Sequence, residues 1–92
     1  MKYFKIKTKK RISWARALEI ADYLTDIVGR RFFVDDYGNE ESPLQAYDFC
    51  FSDNEWDSWK EDTKLLKKHY PKIPFTIEIT DWVKETKEEI AI

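Results

Sequence analysis

The hydrophobic period of this chain changes from two residues to about 3.6 and back, twice over, which marks strands interleaved with helices. In residues 2–8 Phe4 and Ile6 alternate with Tyr3, Lys5 and Lys7, the pattern of a half-buried strand. Ser13 then offers a hydroxyl that can accept from an otherwise unpaired early helix amide. Behind it Trp14, Ala17, Leu18, Ala21, Leu24 and Val28 recur at three- and four-residue steps, with Ile27 at the margin of the stripe. Gly29 suits the left-handed position after a helix, so the pattern predicts a helix over 13–28.

"RFFVDD" at 31–36 reads as a short strand, "DYGNEESP" at 36–43 as a turn, and "LQAYDFCF" at 44–51 as the return strand of a hairpin. The large rings Tyr47, Phe49 and Phe51 share one face there, which assigns that face to the core and turns Asp48 outward. Ser52 followed by Glu55 matches a capping box for a second helix. Trp56, Trp59, Thr63, Leu66 and Tyr70 follow at helical spacing, so the indoles should face inward and the acids between them outward. Pro71 ends that helix, and "PFTIEIT" at 74–80 alternates strictly. The tail reads either as a turn near Lys84–Lys87 that returns "EEIAI" as an edge strand, or as a short helix from Asp81; the strand is the preferred reading.

The order β-α-β-β-α-β is that of a ferredoxin-like α+β sandwich, two helices on one face of an antiparallel sheet, with an extra C-terminal edge strand. The expected layout makes the first and third strands central and parallel, in one domain over 1–92. Its open face should carry Tyr3, Lys5, Lys7, Asp48, Thr76 and Glu78. Fifteen aromatic residues supply the core: each large ring can remove ~150–250 Å² from water.

From 44 to 80 the strand "YDFCF", the Trp-bearing helix, its ending "HYP" and the strand "FTIEI" resemble small ferredoxin-like domains in proteins of phages and other mobile elements. The resemblance implies this fold and a small accessory or inhibitory protein that acts by binding. It carries over no site residue.

Enzymatic chemistry finds little footing. The one histidine, His69, closes a lysine-rich helix end, and the one cysteine, Cys50, sits in an apolar strand. One of each cannot build a zinc site, and placing Gly38 sixth in a calcium loop puts Phe33 first, where an oxygen ligand is needed. Gly29 and Gly38 are isolated, so no phosphate loop is present. The expectation is a non-enzymatic chain with no catalytic residue, metal or cofactor. A lone cysteine points to a reducing compartment. "MKYFKIKTKKRISW" has no signal-peptide core, and no run of about 18 apolar residues spans a membrane. The expected location is the cytoplasm, that of the host cell if the chain is phage-encoded.

Charge is unevenly distributed although the net is only −2. Residues 1–16 hold seven basic groups and no acid; residues 17–62 hold thirteen acids and three basic groups. The leading functional expectation is therefore protein binding. Asp35, Asp36, Tyr37, Glu40 and Glu41 of the hairpin, with Asp53, Glu55, Asp57, Glu61 and Asp62 of the second helix, would steer the chain onto a basic partner surface and block it. An anti-CRISPR or other anti-defence inhibitor is the most concrete form. The alternative is an RRM-like RNA- or DNA-binding module, which would use Tyr3, Lys5, Lys7, Lys9, Lys10 and Arg11. Against it stand a pI of 5.4 and an outward Asp48 that would repel phosphate. A small-ligand site on the open sheet face is the third class. The chain is expected to be a monomer, or a homodimer through an edge strand.

Overall fold

The structure is a computed structural model, and it describes residues 2–35, 41–48 and 55–92. Its elements are β1 (Lys2–Ser13), α1 (Trp14–Val28), β2 (Phe32–Val34), β3 (Glu41–Asp48), α2 (Trp59–His69), β4 (Phe75–Asp81) and β5 (Thr86–Ala91). The strands form one antiparallel sheet in the order β2-β3-β1-β4-β5. Both helices pack on the same face, and their apolar residues join those of the sheet in one cluster.

The central strands β1 and β3 run antiparallel, where the sequence reading had them parallel. The chain's connections dictate this. A crossover through α1 returns β2 in the direction of β1, and a hairpin then reverses the chain into β3. Because β3 lies between β2 and β1, it opposes both.

β1 is longer than its alternating stretch because polar residues continue the ladder. Between the pairs Lys7–Gln45 and Arg11–Pro43 the register shifts: β1 uses four steps where β3 uses two. Parity survives this even slip, so Ile12 returns to the core beside Thr8. The Thr8 hydroxyl holds the irregularity, donating to Lys10 O at 2.7 Å and accepting from Leu44 N at 2.9 Å. Residues 41–43, read from sequence as turn, belong to β3. Among the described residues β2 pairs only with 46–48, so none of them forms a ladder bond that would need the missing N–H of Pro43.

α1 follows the sequence expectation at both ends. Ser13 Oγ accepts from Arg16 N at 3.2 Å, and Gly29 takes φ 80° while its N–H reaches Thr25 O. The buried stripe is Ala17, Ile20, Ala21 and Leu24; Leu18, one step around the helix, is 42% exposed.

β3 presents the opposite face from the one expected. Leu44, Ala46 and Asp48 are buried with the helices, and Tyr47 lies on the open side. Ring size favoured Tyr47 as the core residue, but Leu44 and Ala46 supply a competing apolar parity. The Asp48 carboxylate is tolerated inside because Arg30, just beyond the α1 cap, meets it at 2.8 Å. Phe49, Cys50 and Phe51 lie outside the described residues.

α2 begins at Trp59. Ser52 of the expected capping box lies outside the described residues, and Glu55 and Trp56 are not helical. Trp56 is nevertheless 2% exposed, its ring edge-on to Phe4 and Phe32. Its indole N–H donates to Asp62 Oδ2 at 2.8 Å, and the Ser58 hydroxyl donates to the same oxygen at 2.7 Å. Asp62 is thus buried, correcting its expected outward position; Trp59 is half-buried. Tyr23 ties the helices together, stacked on His69 with ring centroids 4.3 Å apart.

β4 matches its alternation, with Phe75, Ile77 and Ile79 inside. The tail is the edge strand β5, paired with β4 along its length. Asp81 builds the turn between them: its Oδ1 accepts from Val83 N and Lys84 N, and Glu85 adopts φ 55°. No helix among the described residues is long and apolar enough to cross a membrane.

Candidate functional site on the open sheet face

The helices cover one side of the sheet; the other is a mixed surface of rings and charges. Strand parity places Phe33 of β2, Tyr47 of β3 and Tyr3 of β1 on it. Tyr47 pairs directly with Phe33 across one ladder and with Lys5 across the other. Trp82, in the turn after β4, reaches Tyr3 from the far side. Ring centroids are 6.4 Å apart for Phe33–Tyr47, 6.4 Å for Tyr47–Tyr3 and 6.4 Å for Tyr3–Trp82. The four rings make a row that crosses the sheet diagonally, because Tyr3 lies two residues along β1 from Lys5, the partner of Tyr47, and Trp82 two residues beyond Thr80, the partner of Tyr3. Phe33, Tyr47 and Tyr3 are half-buried, and Trp82 is 57% exposed.

Cations border this row. The Arg31 guanidinium lies 5.4 Å from the Phe33 ring centre, and Lys5 Nζ lies 5.6 Å from that of Tyr3. Lys7 and Lys87 are on the same face but already engaged. Glu78 takes Lys7 at 2.9 Å and Lys87 at 3.3 Å, and Glu89 takes Lys7 at 3.0 Å. Arg11 donates to Glu41 O at 2.9 Å; Lys9 and Lys10, in the irregular part of β1, are exposed. Among the described residues the face holds Lys5, Lys7, Arg11, Arg31 and Lys87 against Asp35, Glu41, Glu78 and Glu89. The described residues of this face thus carry one positive charge in excess, although the whole chain is at −2.

The titrating groups keep the rings neutral and the pairs charged. Partial burial, with Tyr47, Asp35 and Glu78 nearby, pushes the Tyr3 phenol up. A hydrogen bond to Asp35 does the same for Tyr47. Burial would raise the Glu78 carboxyl, but the ammonium groups of Lys7 and Lys87 outweigh it and hold it below the usual carboxylate range. Hydrogen bonds to Glu78 and Glu89 raise Lys7.

The acidic residues expected to form one docking rim are dispersed. Asp36, Tyr37, Glu40 and Asp53 lie outside the described residues. Asp35 belongs to the open face beside Tyr47, and Asp62 is buried. Glu41 pairs with Ser13 at the start of α1, whereas Glu55 and Asp57 line a depression with Val28 and Arg30 at its end. The 15 residues of α1 separate those ends by about 22 Å. Glu61 is exposed on α2.

Sequence reasoning identified Tyr3 and the basic strip but missed the rest of the row. Phe33 was absorbed into a strand pattern, Tyr47 was assigned to the core, and Trp82 fell in the ambiguous tail. The apparent objection to a nucleic-acid surface also reverses, since the central strand shows Tyr47 outward and Asp48 inward. A cleft of about 630 Å³, lined by Trp59, Ile79, Glu88 and Ile90 among others, lies on the helix side between α2 and the β4–β5 hairpin. No protein-family model matches the sequence, and no curated protein or solved structure matches it either.

Proposed function

We propose that the protein is a ferredoxin-like domain with an added fifth strand that binds single-stranded nucleic acid across its open sheet face, as a binding module without catalysis. The observation that supports this most is the adjacency of Tyr3 and Tyr47 on the two central strands, ring centroids 6.4 Å apart, on a face of positive sign. Bases unstacked from a strand lie on such rings because every base has a π-face, and each such contact contributes about 1–3 kcal/mol. Lys5 and Arg31, beside the rings, meet phosphates.

The test is fluorescence anisotropy with a labelled twelve-nucleotide oligothymidylate. Two neutralised phosphates give a slope of about −1.4 in log K against log salt, so affinity should fall roughly sevenfold between 50 and 200 mM. Tyr47→Ala and Tyr3→Ala should each weaken binding at least about fivefold, with unchanged circular dichroism. No binding at 50 mM salt, or binding indifferent to both tyrosines, refutes the reading. A chain that instead docked a basic protein through its acids would bind no oligonucleotide, and would lose its partner when Glu55, Asp57 and Glu61 were reversed to lysine.

A further inference from the structure

We propose that Phe33, Tyr47, Tyr3 and Trp82 form one track for four consecutive nucleotides, so that the bound strand crosses the sheet diagonally to β1 and ends on the β4–β5 turn. This rests on the nucleic-acid reading above and specifies the ligand: an extended, unstructured single strand of at least four nucleotides, with little base preference.

The spacing makes the argument. Stacked bases in a duplex strand rise ~3.4 Å per nucleotide. Neighbouring rings here are 6.4 Å apart at each of three steps, almost twice that distance. Bases seated on adjacent rings cannot stack on one another, so each ring takes its own base and the strand must be drawn out. A duplex cannot meet this requirement without melting. Preference among bases is small because what the row offers is ring faces, which all four bases accept.

Trp82 ends the track because its position is built. Asp81 Oδ1 accepts from Val83 N at 3.1 Å and from Lys84 N at 3.2 Å, closing the turn that carries the indole. The indole is held against Tyr3 while more than half of it stays in water. A large apolar ring fixed in that manner is suited to gain surface burial from a ligand. The cations fit the same path: Arg31 lies at the Phe33 end and Lys5 beside Tyr3, flanking the row.

The experiment measures affinity for oligothymidylates of two to eight nucleotides by competition anisotropy. It uses wild-type protein, Trp82→Ala, Trp82→Phe and the double variant Lys9→Gln with Arg11→Gln. Affinity should climb with each nucleotide up to four, then grow only by the statistical gain of extra registers. Trp82→Ala should weaken the four-nucleotide ligand about fivefold or more and leave the three-nucleotide ligand nearly unchanged; Trp82→Phe should restore most of the loss. The double variant should not affect the four-nucleotide ligand, and a duplex of the same length should not compete.

Three outcomes overturn the proposal. Affinity that keeps climbing steeply to eight nucleotides and drops in the Lys9/Arg11 variant places the strand along β1, leaving the nucleic-acid reading intact. Indifference to Trp82→Ala with wild-type binding present removes the track alone. Absence of any oligonucleotide binding removes the track and the reading on which it rests.

Discussion

Asp48→Asn probes the orientation of β3, on which the open-face surface depends. The Asp48 side chain is 3% exposed and that of Arg30 22%, with Nε and Oδ2 2.8 Å apart. Removing one charge from a fully buried pair costs about 3–5 kcal/mol, because the survivor is left in a poor solvent. Arg30 keeps part of its guanidinium in water, so screening brings the expected loss down to about 2 kcal/mol. With a urea slope of about 1–2 kcal/mol per molar for a small domain, the unfolding midpoint should fall by roughly 1–2 M. Tryptophan fluorescence and far-UV circular dichroism report it. A paired variant, Asp48→Leu with Arg30→Met, removes both charges and should recover to within about 1 kcal/mol of the wild type. An unmoved midpoint in Asp48→Asn would mean that the carboxylate is in water. β3 would then be turned over, Tyr47 would lie in the core, and the ring row would lose its second member.

Two further outcomes follow from the same sheet. Glu78 has a carboxyl held below the ordinary range by Lys7 and Lys87 against the opposing effect of burial. Its folded pKa is therefore below the unfolded value, about 4.3. The stabilisation is complete above that value and disappears as pH falls through the folded pKa. Urea midpoints measured from pH 6 down to pH 3 should fall less steeply for Glu78→Gln than for the wild type; superimposable acid limbs would count against the pairing. Thr8→Val leaves Leu44 N without its acceptor at a buried site, so it should cost about 1–3 kcal/mol by urea unfolding, while Thr8→Ser should cost much less. Equal losses in the two variants would show that the hydroxyl does not hold the irregularity.

How much could be read from the residues differs from element to element. The bounds of α1 were legible because its signals are local: the Ser13 hydroxyl, the three- and four-residue apolar steps and Gly29 all act within one turn of where they occur, although the stripe wrongly included Leu18 and omitted Ile20. β4 was legible for a similar reason, since strict alternation needs no distant partner, whereas the edge strand was one of two readings that the tail allowed. α2 was legible in its apolar side but not in its start. Ser52 and Glu55 have capping spacing, yet the chain reserves 55–58 for an irregular entry that lets Trp56 enter the core ahead of the helix.

What sequence alone determined here is the inventory of elements and the apolar side of those whose two faces differ clearly in polarity; the reason is that periodicity is a property of neighbours along the chain. The tertiary structure decided the side of β3, the antiparallel course of the central strands and the assembly of a single ring row from β2, β3, β1 and a turn. Both parities of β3 contain apolar residues, so hydrophobicity alone did not choose between them. The choice depends on Arg30, which is distant in sequence and makes the inward Asp48 tolerable only once α1 has been packed against the sheet. The acids that look contiguous from Asp35 to Asp62 were likewise divided by the fold, because a helix of 15 residues holds apart what the chain lists together.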